Sequence, residues 1–158
     1  GDLHNRLMKL GARLVIRTLE GISENKIKPV PQSNYLKKGL IPKTAPKIFP
    51  ADCIINWNND FQNVHNLIRG LSPSPCARSY FIKDSVPIMF KIFESQPEHA
   101  EHIYKPGDII SDGKNYFKIA CKNGFLNIVN LQLEGKKRVN TIEFLRGFRI
   151  SEYKTGTI

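Results

Sequence analysis

The stretch NKIKPVPQSNYLKKGLIPKTAPKIFP at residues 25–50 limits what this chain can fold into more than any other feature. It carries five of the ten prolines and six lysines, with no acidic residue. Proline removes a backbone donor and resists both helix and sheet ladder, and like charges keep the segment extended. A single continuous core through residues 25–50 is therefore excluded. The sequence predicts three parts: a helix at 1–24, a basic Pro-rich linker at 25–50, and a globular part at 51–158.

Residues 2–20 predict an amphipathic helix. Leu3, Leu7, Leu10, Leu14 and the group Ile16–Leu19 recur every three or four residues, which places them on one stripe. Asp2 suits the positive end of a helix, and Gly21 is the expected stop. Such a stripe seeks a partner: another domain, its own globular part or a second copy. The polar face holds only a handful of basic residues, so no membrane role is expected.

The charge is unevenly placed. Of 158 residues, 24 are Lys or Arg and 14 are Asp or Glu, a net +10. Residues 1–50 hold ten basic and three acidic residues, 51–104 hold four and six, and 105–158 hold ten and five. Two basic segments thus flank a slightly acidic middle, the pattern of a chain that meets a polyanion. No apolar run approaches the ~18 residues of a membrane span, and no signal peptide is visible in GDLHNRLMKL. Three cysteines (Cys53, Cys76, Cys121) with no CxxC pair argue against disulfides or a cysteine zinc site and fit a reducing compartment.

The globular part opens with an apolar run, Ala51–Trp57. Asn59 and Asp60 can cap a helix over 60–71 that presents Phe61, Val64, Leu67, Ile68 and Leu71 on one face. Five strands follow: Arg78–Lys83, Val86–Glu94, Ile109–Ile110, Tyr116–Cys121 and Phe125–Leu133, with turns at Lys83-Asp84-Ser85, Asp112–Asn115 and Lys122-Asn123-Gly124. A closing helix fits Thr141–Arg149. Five short strands with flanking helices predict a mainly β fold, an OB-like five-stranded barrel.

Catalytic patterns are absent. His99 and His102 stand among Glu94, Glu98 and Glu101, but QPEHAEHIYKPG reads as a solvated loop between strands, so no metal site is expected. His65 reads as a helix residue, and the three cysteines as inert core. Gly135-Lys136-Lys137-Arg138 lacks the upstream glycine of a P-loop, yet it is the densest charge in the globular part and suits phosphate contact. Tyr80, Phe81, Phe90 and Phe93 alternate with apolar neighbours and read as core rather than as a stacking platform.

The strings APKIFPADCIINW, IRGLSPSPCA and LQLEGKKRVNTIEFLRG, in that order, resemble the C-terminal part of the methionyl-tRNA formyltransferase family. The leading LHNRLMKLGARLVIRTLEG is similar to the helix that closes the family's catalytic domain. Asn56 stands where the family usually has aspartate, and Ser74 where it often has an aromatic residue.

The resemblance implies a fragment: a trailing helix of an absent catalytic domain, a linker, and an OB-like domain that holds initiator tRNA in the cytoplasm. Catalysis and the donor 10-formyltetrahydrofolate would belong to the parent, with no catalytic residue or cofactor here. The expected tRNA contacts are Lys37, Lys38, Lys43, Lys47, Lys136, Lys137, Arg138, Arg146 and Arg149, lining one basic channel. The alternative is a structural C-terminal module of a related formyltransferase acting on a sugar nucleotide or on folate alone.

Overall fold

The computed structural model describes residues 1–36 and 43–156. They form two compact units, Gly1–Lys47 and Ile48–Ile158.

In the first unit, helix α1 spans Asp2–Ser23, three residues beyond the predicted end. Gly21 is not the stop. The helix closes one turn later on Asn25, which adopts φ 55°. Its N–H reaches the Ile22 carbonyl at 3.0 Å, while the Lys26 N–H reaches that of Gly21 at 2.8 Å. This pair of bonds satisfies the orphaned carbonyls of a helix end. Gly21 instead gives Ile27 room to fold back: a Cβ there would lie 2.4 Å from Ile27 Cδ1. Leu3, Leu7, Leu10 and Leu14 along the helix are exposed. Beyond it, the described residues of this unit hold a 3-10 turn at Gln32–Tyr35. No helix among the described residues is long and apolar enough to cross a membrane.

The second unit carries the core. A 3-10 turn at Pro50–Cys53 leads to helix α2, Phe61–Leu71, whose N-cap Asp60 accepts from the Gln62 N–H at 2.9 Å. The strands are β1 (Ala77–Lys83), β2 (Val86–His99), β3 (Ile109–Ser111), β4 (Phe117–Cys121), β5 (Gly124–Leu133), β6 (Val139–Asn140) and β7 (Lys154–Gly156). Their spatial order is β3-β4-β5-β2-β1-β7, with β6 on β5 and antiparallel pairing throughout. The sheet curls into a nearly closed barrel. At the gap, the Thr155 hydroxyl of β7 donates to the carbonyl of Gly107, just ahead of β3, so a side chain rather than a ladder joins the two edges.

Five of the seven strands coincide with those expected, and two short ones, β6 and β7, were too brief to leave a period-two pattern. Strand β2 runs five residues further than expected, through Gln96–His99, where polar composition had read as loop. Those residues are ladder-paired to β5, from Gln96↔Asn127 to His99↔Gly124. The pairing supplies what their side chains do not, because β-propensity yields to position in the sheet.

Tight turns set the register. Asp84 (φ 50°) and Ser85 (φ 63°) make the two-residue β1–β2 turn, with the left-handed backbone that matches strand twist. Asn123 takes φ 63° between β4 and β5. Gly124 is required by crowding: a Cβ would sit 2.3 Å from the Glu98 carbonyl oxygen. The closing helix, α3, is Thr141–Gly147, with Asn140 and Glu143 forming a capping box. Phe81 and Phe90, both fully buried, stack with ring centroids 3.9 Å apart at the centre of the core. Burying each ring contributes ~1.5–3 kcal/mol.

Candidate nucleic-acid interface

Strand alternation assigns each β1–β2 residue to a face. Ala77, Ser79 and Phe81 point inward on β1, as do Phe90 and Ile92 on β2. Arg78, Tyr80, Met89 and Lys91 therefore lie on the outer face, where Arg78 is directly opposite Lys91 and Tyr80 opposite Met89. The expectation that Tyr80, Phe81, Phe90 and Phe93 are all core is corrected accordingly. Phe81 and Phe90 are buried, whereas Tyr80 and Phe93 are only half-buried. Neighbouring aromatic residues in a strand must part to opposite faces.

The loop Glu134–Arg138 joins β5 to β6 beside this face. Gly135 takes φ 71°, and three bonds hold the loop: the Glu134 N–H donates to the Met89 carbonyl (2.9 Å), the Lys136 N–H to the Leu133 carbonyl (3.0 Å), and the Gln132 amide to the Lys136 carbonyl (2.7 Å). The backbone is thus anchored while Lys136, Lys137 and Arg138 stay exposed. Arg138 lies over the Phe93 ring, 4.5 Å from its centroid, a cation–π contact that limits where its charge can go. Gln132 pairs with Lys91 across β5 and β2. A depression bordered by Met89, Lys91, Gln132 and Glu134 separates the loop from the strands.

Burial raises the Cys76 thiol pKa, while Lys91 and, more weakly, Arg138 and Arg78 pull it back. Three cations from β1, β2 and the loop thus bear on one sulfur. None of Arg78, Lys91, Lys136, Lys137 or Arg138 forms an ion pair among the described residues. Arg78 and Lys91 were not singled out in sequence. The signal was present only as one basic residue between two inward-facing ones on each strand.

The other expected contacts belong to other segments of the chain. Arg146 is exposed in the last turn of α3, where a cation also complements the helix dipole. Arg149 is exposed, and its guanidinium is 4.0 Å from Glu152, which also pairs with Lys83. Lys43 and Lys47 are exposed residues of the first unit. Lys37 and Lys38 lie outside the described residues.

The histidines and cysteines serve the fold. His102 sets Nε2 against the carbonyls of Cys121 (2.9 Å) and Gly124 (3.0 Å). His99 ends β2 against Phe61, with ring centroids 5.7 Å apart. His65 Nδ1 is 3.1 Å from the Ser95 hydroxyl oxygen, and burial followed by the Arg69 charge lowers its pKa. Cys53, Cys76 and Cys121 are free and buried. No group of three or more His, Cys, Asp or Glu that suits a metal ion occurs among the described residues.

A cationic loop thus stands beside the outer face of a small antiparallel barrel. The model of the formyl transferase C-terminal domain matches residues 47–149, and the chain belongs to that family. Among curated relatives, it is 44% identical over 151 residues to the methionyl-tRNA formyltransferase of Bacteroides fragilis (strain YCH46), covering 95% of this chain and 46% of the relative. It is 40% identical over 156 residues to that of Parabacteroides distasonis, covering 98% and 48%. A third relative, the methionyl-tRNA formyltransferase of Flavobacterium johnsoniae, is 40% identical over 153 residues, covering 96% and 47%. The chain spans about half the length of the curated relatives it matches.

Proposed function

We propose that this chain is the tRNA-holding part of a methionyl-tRNA formyltransferase that works in the cytoplasm. Its parent transfers a formyl group from 10-formyltetrahydrofolate to the amino group of initiator methionyl-tRNA in translation initiation. The observation that carries the reading is the anchored loop Glu134–Arg138, whose three cations are exposed and without ion pairs among the described residues. Lysines and arginines so placed neutralise backbone phosphates and release their counterions. In this reading Lys37, Lys38, Lys43, Lys47, Lys136, Lys137, Arg138, Arg146 and Arg149 contact the tRNA backbone. Phosphate contacts position the tRNA without reading its sequence.

Residues 1–24 are read as the trailing helix of the catalytic domain, 25–50 as the linker and 51–158 as the tRNA-binding domain. In the isolated chain, the leucine stripe of α1 is open to a second copy. Formyl transfer belongs to the rest of the parent.

The test is the affinity of the chain for initiator tRNA between 50 and 200 mM salt, conditions over which phosphate contacts weaken binding. Log K should fall linearly with log salt, and replacing Lys136, Lys137 and Arg138 with Ala should flatten the slope by up to ~2.7. In the full-length enzyme the same change should raise KM for tRNA and leave kcat unchanged. Salt-independent affinity, or an unchanged KM, would favour a module that only braces a catalytic domain.

A further inference from the structure

We propose that Arg78, Lys91 and Arg138 form a subsite for one backbone phosphate of RNA on the outer face of β1 and β2. The inference rests on the reading that the barrel unit binds tRNA, and it adds two residues that lie in the strands rather than on the basic loop.

The first argument is the pairing. Arg78 and Lys91 are direct partners across an antiparallel ladder, and like charges in that position destabilise the sheet. An opposing pair of this kind persists when something outside the fold neutralises it. No carboxylate does so: neither residue has an ion pair among the described residues. Glu94, the nearest acidic residue along β2, accepts from the Asn130 amide at 2.6 Å. Glu134 borders the same depression as Lys91 without an ion pair to it.

The second argument is organisation. Arg138 is held over Phe93, two residues along β2 from Lys91, so a third cation is brought to the same face by stacking rather than by a counterion. Arg78 is half-buried, and its Nε is enclosed with no hydrogen-bond partner.

The third argument is continuity. Lys136 and Lys137 follow on the adjoining loop, so a chain of phosphates entering at the loop meets Arg138 and then Lys91 and Arg78. A polymer with one charge per residue uses such a track.

The experiment compares Lys91→Gln, Arg78→Gln and Lys91→Arg in the 158-residue chain. Probes are an initiator tRNA transcript and poly-glutamate, titrated across salt. Lys91→Gln should weaken tRNA binding severalfold and reduce the salt slope by ~1, the value for one phosphate. Lys91→Arg should retain both. The thermal midpoint of Lys91→Gln should hold or rise, because the like-charge opposition is gone, which separates lost binding from lost folding. If Arg78→Gln disturbs its half-buried site, the Lys91 variants decide alone.

An unchanged tRNA affinity and slope in Lys91→Gln, with the loop triple variant still weakened, would overturn the subsite and leave the tRNA reading intact. If neither variant alters a salt-independent affinity, the underlying reading fails with it. Reduced poly-glutamate binding beside unchanged tRNA binding would assign the face to an acidic protein and overturn the proposal.

Discussion

The indole N–H of Trp57 donates to the hydroxyl of Ser79 at 2.9 Å, inside the barrel and beyond the reach of water. The bond ties the segment entering the barrel unit to its first strand, beside the bridge in which the Ile55 N–H donates to the Arg78 carbonyl at 2.8 Å. Ser79 is inward-facing and Arg78 outward-facing, so one short piece of β1 serves the core and the outer surface together.

Replacing Ser79 with Ala should leave the indole N–H buried without an acceptor. The expected loss is ~1–3 kcal/mol, the cost of an unsatisfied buried donor. Trp57 is the only tryptophan, so its fluorescence during urea unfolding reports the change directly. An unchanged midpoint would mean that the indole finds another acceptor.

Stability should fall in alkaline solution. Burial, followed by the nearby Asp60 carboxylate, pushes the Cys121 thiol up to about 12 from an ordinary 9.0, and burial also raises Cys76. A thiol is neutral when protonated, so a folded pKa above the unfolded one stabilises the fold fully below the unfolded value. That contribution is lost as pH rises from about 9 towards about 12. Each such thiol adds at most ~1.4 kcal/mol per pH unit to the slope. Urea midpoints at pH 8, 10 and 11 should therefore decline less steeply in Cys121→Ala than in the parent chain. Equal slopes would show that Cys121 contributes nothing.

Residues 48–158 should fold without the first unit. The buried core lies within that range, from Cys53 to Ile150, and the compact unit begins at Ile48. A thermal melt followed by circular dichroism should keep its cooperative transition. Its loss on removing residues 1–47 would show that the barrel depends on the preceding helix or linker.

Local chemistry made several parts legible in the sequence. The 3.6-residue period of the leucines specified α1. The Asp60 cap specified α2, and the turns at Asp84-Ser85 and Asn123 separated the strands. Each needs only neighbours within a few residues. The same applies to the cationic loop, because Lys136, Lys137 and Arg138 are adjacent in the chain.

Tertiary structure decided what depends on register. Alternation states that Tyr80 and Phe81 face opposite ways, but not which of them meets the core; packing of Phe81 on Phe90 settles it. Gln96–His99 became strand only because β5 lies alongside. Arg78, Lys91 and Arg138 are far apart in sequence and are gathered by the β1–β2 ladder and the path of one loop. The sequence by itself determined a helix, a set of strands and a basic loop, because those rest on local propensity and spacing. The fold alone decided that a basic residue on each of two strands joins that loop on one face, because pairing across a sheet is a long-range choice made by the whole core.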